Sequence, residues 1–188
     1  MSDAFLGWPS SALIIPVTLP SVIETLRQRY DLNAAFLPAH VTISFPFAPQ
    51  KQQKKIIPVL KPLIRQFSAF DLVGTEVSTF EMDTERIIIL KIAVSKELEQ
   101  LCNAVWSTFR QYPPYEGKHK EVVPHITLAR VARNEPDILT QLAALVCQNQ
   151  TQMQWHVSTV QWIGRPRCVK KVNAAATCRT IATFHLLT

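Results

Sequence analysis

HVTISF at 40–45 and HITLAR at 125–130 are one phrase written twice, 85 residues apart (125 − 40). Each is a short run of β-branched and apolar residues opened by a histidine, with a threonine two places on and a proline just upstream. Successive side chains on a strand point to opposite faces. As strands, His40, Thr42 and Ser44 share one face, while Val41, Ile43 and Phe45 share the other. Likewise His125 and Thr127 stand together, opposite Ile126 and Leu128. Each phrase therefore sets an imidazole beside a hydroxyl and anchors them through an apolar back.

Working outward, the same rhythm of helix and strand surrounds both phrases. SALIIPVTL reads as a first strand. PSVIETLRQRYDL follows as a helix, with Ser21 and Glu24 as a capping box and Val22, Leu26 and Tyr30 at helical spacing. After HVTISF, KQQKKIIPVLKPLIRQF has helical apolar spacing, but its prolines place the helix start near Pro58. AFDLVGTEVSTF and RIIILKIAV are rich in β-branched residues and read as neighbouring strands. KELEQLCNAVWSTFRQY carries an apolar helical stripe of Leu98, Leu101, Cys102, Val105, Trp106 and Phe109.

The turn-rich PPYEGKHKEVVP leads into HITLAR. EPDILTQLAALVCQN is a helix with Pro136 near its first position, and MQWHVSTVQWIGR and RTIATFHLL are two closing strands. The interleaving predicts an α+β protein with antiparallel or mixed sheets and flanking helices. The second half echoes the first, as two lobes around a central groove would. No linker divides the 188 residues, so positions 1–188 are expected to form a single bilobal domain.

Composition narrows the function. The chain is 47% hydrophobic and 18% charged, so it supports a buried core, and no apolar run reaches the ~20 residues that cross a bilayer. With no targeting segment visible, a cytoplasmic location is the default. Only 4 glycines are present, and neither phosphate-binding glycine loop occurs, so no nucleotide cofactor is expected. The four cysteines show no C-x-x-C spacing and read as reduced thiols. The net charge of +6 favours a polyanionic partner such as RNA.

Two imidazoles and two hydroxyls converging on one groove suit phosphodiester chemistry. Histidine titrates near neutrality, so one ring can take a proton while the other gives one. Opening a 2′,3′-cyclic phosphate needs both acts, and threonine hydroxyls can hold the non-bridging oxygens. No carboxylate or cysteine lies at ligand spacing around either histidine, so no metal is expected. Ser44 and Thr42 lack a Ser-His-Asp arrangement for nucleophilic catalysis. A non-catalytic RNA-binding protein using the same groove is the rival from another class.

HVTISF and PHITLAR, with the strand pair and helix between them, resemble the 2H phosphoesterase superfamily, and within it the 2′-5′ RNA ligase (RNA 2′,3′-cyclic phosphodiesterase) family. The terminal VQWIGR…RTIATFHL pattern is similar as well. The resemblance implies a bilobal LigT-like fold, with His40 and His125 as the acid–base pair and Thr42 and Thr127 as phosphate ligands. It also implies metal-independent opening of cyclic phosphates to 2′-phosphates, reversible 2′-5′ ligation, and a monomer. The partner would be RNA with a cyclic end or a small nucleotide, 2′-5′ oligoadenylates included.

Ser44, Arg130 and Arg165 are candidate substrate-binding residues. Strict alternation turns Arg130 away from His125, so it needs a bulge to reach the groove; it likewise assigns Phe45 to the core rather than to stacking on a base. Arg165, Arg167, Lys170, Lys171 and Arg179 lie in or beside one loop that could wall an RNA backbone. His119, His156 and His185 read as surface or strand residues.

Overall fold

In a computed structural model, residues 11–119, 121–133, 137–164 and 178–187 are described. The first strand, β1 (Ser11–Pro16), is almost wholly buried, and α1 (Ser21–Tyr30) follows it. The first histidine phrase forms β2 (His40–Ser44), followed by α2 (Gln53–Ile64). The hairpin β3 (Phe70–Glu81) and β4 (Glu85–Ile92) leads to α3 (Lys96–Thr108) and then to the second phrase, β5 (His125–Ala132). The chain closes with α4 (Asp137–Gln148), β6 (Gln154–Val157), β7 (Thr159–Gly164) and β8 (Arg179–His185).

Two four-stranded sheets result, ordered β2-β1-β7-β8 and β5-β4-β3-β6, and every pairing within them is antiparallel. Each histidine strand is the edge of its own sheet. The helices cross over: α1, from the first half of the chain, packs on β5, while α3, from the second, packs on β2. This exchange brings β2 and β5 into contact. One apolar core draws on both sheets, with Leu13, Ile15, Val41 and Ile43 from one and Ile88, Leu90, Ile126 and Leu128 from the other.

Four local expectations are corrected. No capping box forms on α1: Pro20 holds the cap position, Ser21 is the first helical residue, and Glu24 pairs with Arg27 instead. Val22 is 43% exposed, because the buried face of α1 carries Ile23 and Arg27. The helix α2 starts at Gln53 rather than at Pro58. Pro58 and Pro62 sit on its exposed side, where the carbonyls they leave without an N–H partner (those of Lys54 and Pro58) face water. Finally, MQWHVSTVQWIGR is two strands, not one. Val157 pairs with Phe70 in one sheet, Thr159 pairs with His185 in the other, and the Ser158 carbonyl between them accepts from Leu186 N–H.

Candidate active site

His40 and His125 each open an edge strand, and both line one cleft of about 840 Å³ that Thr42 and Thr127 also line. The two rings are fixed in the same way. His40 Nδ1 lies 2.7 Å from the Pro38 carbonyl, and His125 Nδ1 lies 2.7 Å from the Val123 carbonyl, each two residues upstream. A carbonyl only accepts, so Nδ1 carries the hydrogen and Nε2 holds the lone pair of the neutral ring. The edge of the Phe80 ring meets His125, with centroids 5.0 Å apart.

Both imidazoles are pushed below their usual 6.5, chiefly by burial. The carbonyl contacts oppose this. The positive charge of Arg27 and the neighbouring His125 push His40 down further, while Asp31 raises it. Arg130 pushes His125 down. His125 is near enough to His40 to act on it electrostatically.

The strands do not alternate to their ends. Leu13 and Ile14 are adjacent on β1, yet they face Ser44 and Thr42, so Ile43 is an extra residue on β2. Ile88 and Ile89 are adjacent on β4, yet they face Ala129 and Thr127, so Leu128 is an extra residue on β5. Each bulge therefore falls three residues after its histidine (40 + 3 and 125 + 3). A bulge reverses the facing of everything beyond it.

Three sequence expectations turn on this. Arg130 is brought to the cleft face, the placement expected of a substrate contact. Phe45, five residues after His40 as Arg130 is after His125, also lines the cleft rather than the main core. Ser44 goes the other way. It is 1% exposed, its hydroxyl donates to the Tyr112 carbonyl (3.3 Å), and it does not line the cleft where a substrate contact was expected of it. The Ile43 carbonyl, displaced by its bulge, accepts from the Trp106 indole N–H of α3 (2.8 Å).

Three cleft residues escape a reading of the sequence. Arg27 is 2% exposed; its Nε donates to the Thr127 carbonyl (3.3 Å), Nη2 to the Leu37 carbonyl (2.9 Å) and Nη1 to Glu24 (2.9 Å). One α1 side chain thus ties the second threonine to the segment that leads into the first histidine. Its place four residues after Ile23 was the available signal. Asp31 is 3% exposed, accepts from Asn33 N–H and lies 3.8 Å from Arg130, whose Nη1 donates to Glu85 (2.9 Å).

Tyr115 lies in a turn where it and Glu116 take left-handed φ angles of 52° and 57°, followed by Gly117 at 71°. Its N–H donates to the Phe45 carbonyl (2.5 Å), its ring meets the edge of His119 (5.5 Å), and it lines the cleft together with Thr42. Nothing in PPYEG announces those contacts.

Of the remaining candidates, His119 lines the cleft though exposed, and His156 pairs with Asp71 on the surface. Arg179 is exposed at the start of β8; Arg165, Arg167, Lys170 and Lys171 lie outside the described residues. Among the described residues, Cys102 and Cys147 form no disulfide, and burial pushes the Cys102 thiol up to about 12. No helix among the described residues is long and apolar enough to cross a membrane, and no three His, Cys, Asp or Glu side chains among them converge on a metal-sized site.

A profile of the 2′-5′ RNA ligase superfamily matches residues 15–167 of this chain. A Geobacillus kaustophilus protein named "Putative phosphoesterase GK0864" is 32% identical over 117 residues, which span 61% of this chain and 64% of that protein, just under two thirds of its length. A Staphylococcus aureus protein of the same description is 28% identical over 135 residues, 70% of this chain and 77% of its own. Escherichia coli LigT, crystallised with 3′-AMP, superposes with a TM-score of 0.60 over 95% of this chain and 98% of its own, at 15% identity, and so shares the fold.

Proposed function

The chain belongs to the 2′-5′ RNA ligase superfamily, and from that premise we propose that it is a phosphodiesterase which opens 2′,3′-cyclic phosphate ends of RNA or nucleotides to 2′-phosphates, and can run the related 2′-5′ ligation in reverse. Its phosphoesterase character rests on the family. The finer reading rests on one observation: two imidazoles, each with Nδ1 occupied by a carbonyl and each two residues from a threonine, face a single cleft.

The chemistry follows from those atoms. One neutral imidazole takes a proton from water through Nε2, and the water oxygen forms a bond to phosphorus. The bond from phosphorus to the 3′ oxygen breaks, and the other ring, as imidazolium, gives that oxygen its Nε2 proton. Thr42 and Thr127 donate to the non-bridging oxygens, where charge builds in the transition state. One ring serves as base and the other as acid, and we assign His125 as base and His40 as acid. Arg130 adds a cation beside the phosphate. Phe45 offers its ring to a base, within an apolar wall that includes Ala12, Leu37 and Ile163.

The described cleft lining carries Asp31, Glu81, Glu85 and Glu121 beside Arg27 and Arg130, and Glu81 is also paired with Arg86 and Arg133. A small cyclic nucleotide or a short 2′-5′ linked oligonucleotide is the second substrate class within the same reading. LigT itself has been crystallised with 3′-AMP and with ATP.

The test is hydrolysis of 2′,3′-cyclic nucleotides, cyclic-ended RNA and 2′-5′ dinucleotides in the presence of a chelator, with the phosphate position resolved in the products. His40→Gln and His125→Gln are each expected to lower kcat by roughly 10²–10⁴-fold. Full activity in either variant, or complete loss of wild-type activity in chelator, rejects the mechanism. Salt-dependent RNA binding with no cyclic phosphate opened would establish the non-catalytic alternative.

A further inference from the structure

Arg27 and Arg130 both line the cleft, yet they are held to different ends. The Arg27 guanidinium is buried and gives its hydrogen bonds to Leu37, Thr127 and Glu24, so it belongs to the frame. Arg130 keeps 32% of its side chain exposed, and two carboxylates hold it. Its Nη1 donates to Glu85 (2.9 Å), and its Nε stands 3.8 Å from Asp31 Oδ1.

Those carboxylates come from opposite halves of the chain. Glu85 opens β4 two residues before Ile87, which faces Arg130 across the sheet, so Glu85 is the diagonal neighbour of Arg130 on the cleft side. The extra residue Leu128 makes this meeting possible, because it turns Arg130 to that side. Asp31 follows the last residue of α1 and is buried. Its Oδ1 accepts from Asn33 N–H (3.1 Å) and from Asn33 Nδ2 (3.2 Å), which fixes where it meets Arg130.

The arrangement is not that of an ion pair built for stability. At 3.8 Å the Asp31 contact is too long for a hydrogen bond, and Arg130 Nε is buried without a hydrogen-bond partner among the described residues. A buried donor left unpaired is destabilising, so a fold that retains one does so under another constraint. A guanidinium is a rigid planar fork. Holding Nη1 by a hydrogen bond and Nε by charge sets the plane of that fork, and the part that stays exposed lines the cleft.

We propose that Glu85 and Asp31 are positioning residues for Arg130, a two-carboxylate clamp that aims the guanidinium at the phosphate. The clamp opposes itself in charge, since each carboxylate weakens the pull of the guanidinium on an anion. Its benefit is order: a long flexible arm would otherwise lose its rotamer freedom only when the anion binds. The inference rests on the reading of Arg130 as a phosphate contact. Glu85 is the member to test, because it is 42% exposed and its removal strands no buried charge.

Inorganic phosphate is the probe, titrated calorimetrically into the wild-type chain, Glu85→Gln and Glu85→Ala, and into the same two variants carrying Arg130→Gln. Both Glu85 variants remove the same charge, but only glutamine keeps an oxygen for Nη1. Their ratio therefore isolates aim from electrostatics. Loss of one aligned hydrogen bond predicts phosphate binding about 5- to 10-fold weaker in Glu85→Ala than in Glu85→Gln. With Arg130→Gln present the two are expected to bind alike.

A merely structural role for Glu85 would lower thermal midpoints and leave that ratio near one. A ratio near one, tighter binding by Glu85→Ala, the same ratio in the Arg130→Gln background, or a wild-type chain that binds no phosphate overturns the proposal. Turnover of a 2′,3′-cyclic nucleotide by the same proteins separates the clamp from the proposed reaction. The predicted ratio without turnover by the wild-type chain leaves the clamp standing and removes the reaction; turnover with a ratio near one does the reverse.

Discussion

Replacing Arg27 by Met asks whether one buried cation holds the two halves of the site together. The guanidinium gives hydrogen bonds to the carbonyls of Leu37 and Thr127 and to Glu24. Methionine fills much of the volume but donates nothing. The Leu37 bond is short and charge-assisted, so its loss costs about 2–3 kcal/mol; the longer Thr127 bond costs about 1 kcal/mol. Glu24 is 28% exposed and can return to water, adding about 0–1 kcal/mol. The sum is about 3–5 kcal/mol, which for a chain of this length lowers Tm by roughly 6–20 °C.

Arg27→Lys keeps the charge but not the fork, and about half that loss is expected. Differential scanning calorimetry at pH 7 reads both. A second measurement follows the electrostatics. Removing the charge relieves one of the influences that hold His40 down, so the His40 titration seen by NMR moves up in Arg27→Met and stays closer to wild type in Arg27→Lys. Thermal midpoints within about 2 °C of wild type for both variants refute the reasoning, since that is the scatter of an ordinary surface substitution.

Stability should also depend on pH through the paired rings. Both histidines have folded values below 6.5, so between those values and 6.5 the unfolded chain binds more protons than the folded one. Stability is then fully present above 6.5 and is lost as pH falls. Urea midpoints at pH 7 and pH 5 will show a smaller acid loss in the His40→Gln/His125→Gln double variant than in wild type; equal losses would contradict the shifts. Trp106→Phe keeps an aromatic ring on α3 but leaves the displaced Ile43 carbonyl without its donor. Chemical denaturation is expected to show a loss of about 1–3 kcal/mol, and a neutral result would mean that the bulge does not need the indole.

The proposed chemistry of this chain lies near the surface of its sequence. A histidine and a threonine two places apart on a strand must share a face, because the strand period is 2 whatever surrounds it. The repeat of that unit, with helix and strand alternating around it, also fixed the α+β class and the pairing of β3 with β4. All of these are local properties, set by side-chain branching and by the spacing of apolar residues over a few positions.

What lay beyond reach depends on partners far away in the chain. HVTISF and HITLAR alternate without fault as written, so nothing in them shows that Ile43 and Leu128 are extra residues. A bulge is a relation between two strands, and its register is set by β1 and β4. That relation sends Ser44 into the interior and turns Phe45 and Arg130 to the cleft. The same holds for Arg27 and Tyr115, whose partners are 100 residues away at Thr127 and across the chain at Phe45. Their roles arise because helices and turns of each half close over the strand of the other. The sequence determined which groups carry the proposed chemistry; the exchange of elements between halves decided which neighbours surround them, since only a completed core brings such distant backbone within a hydrogen bond.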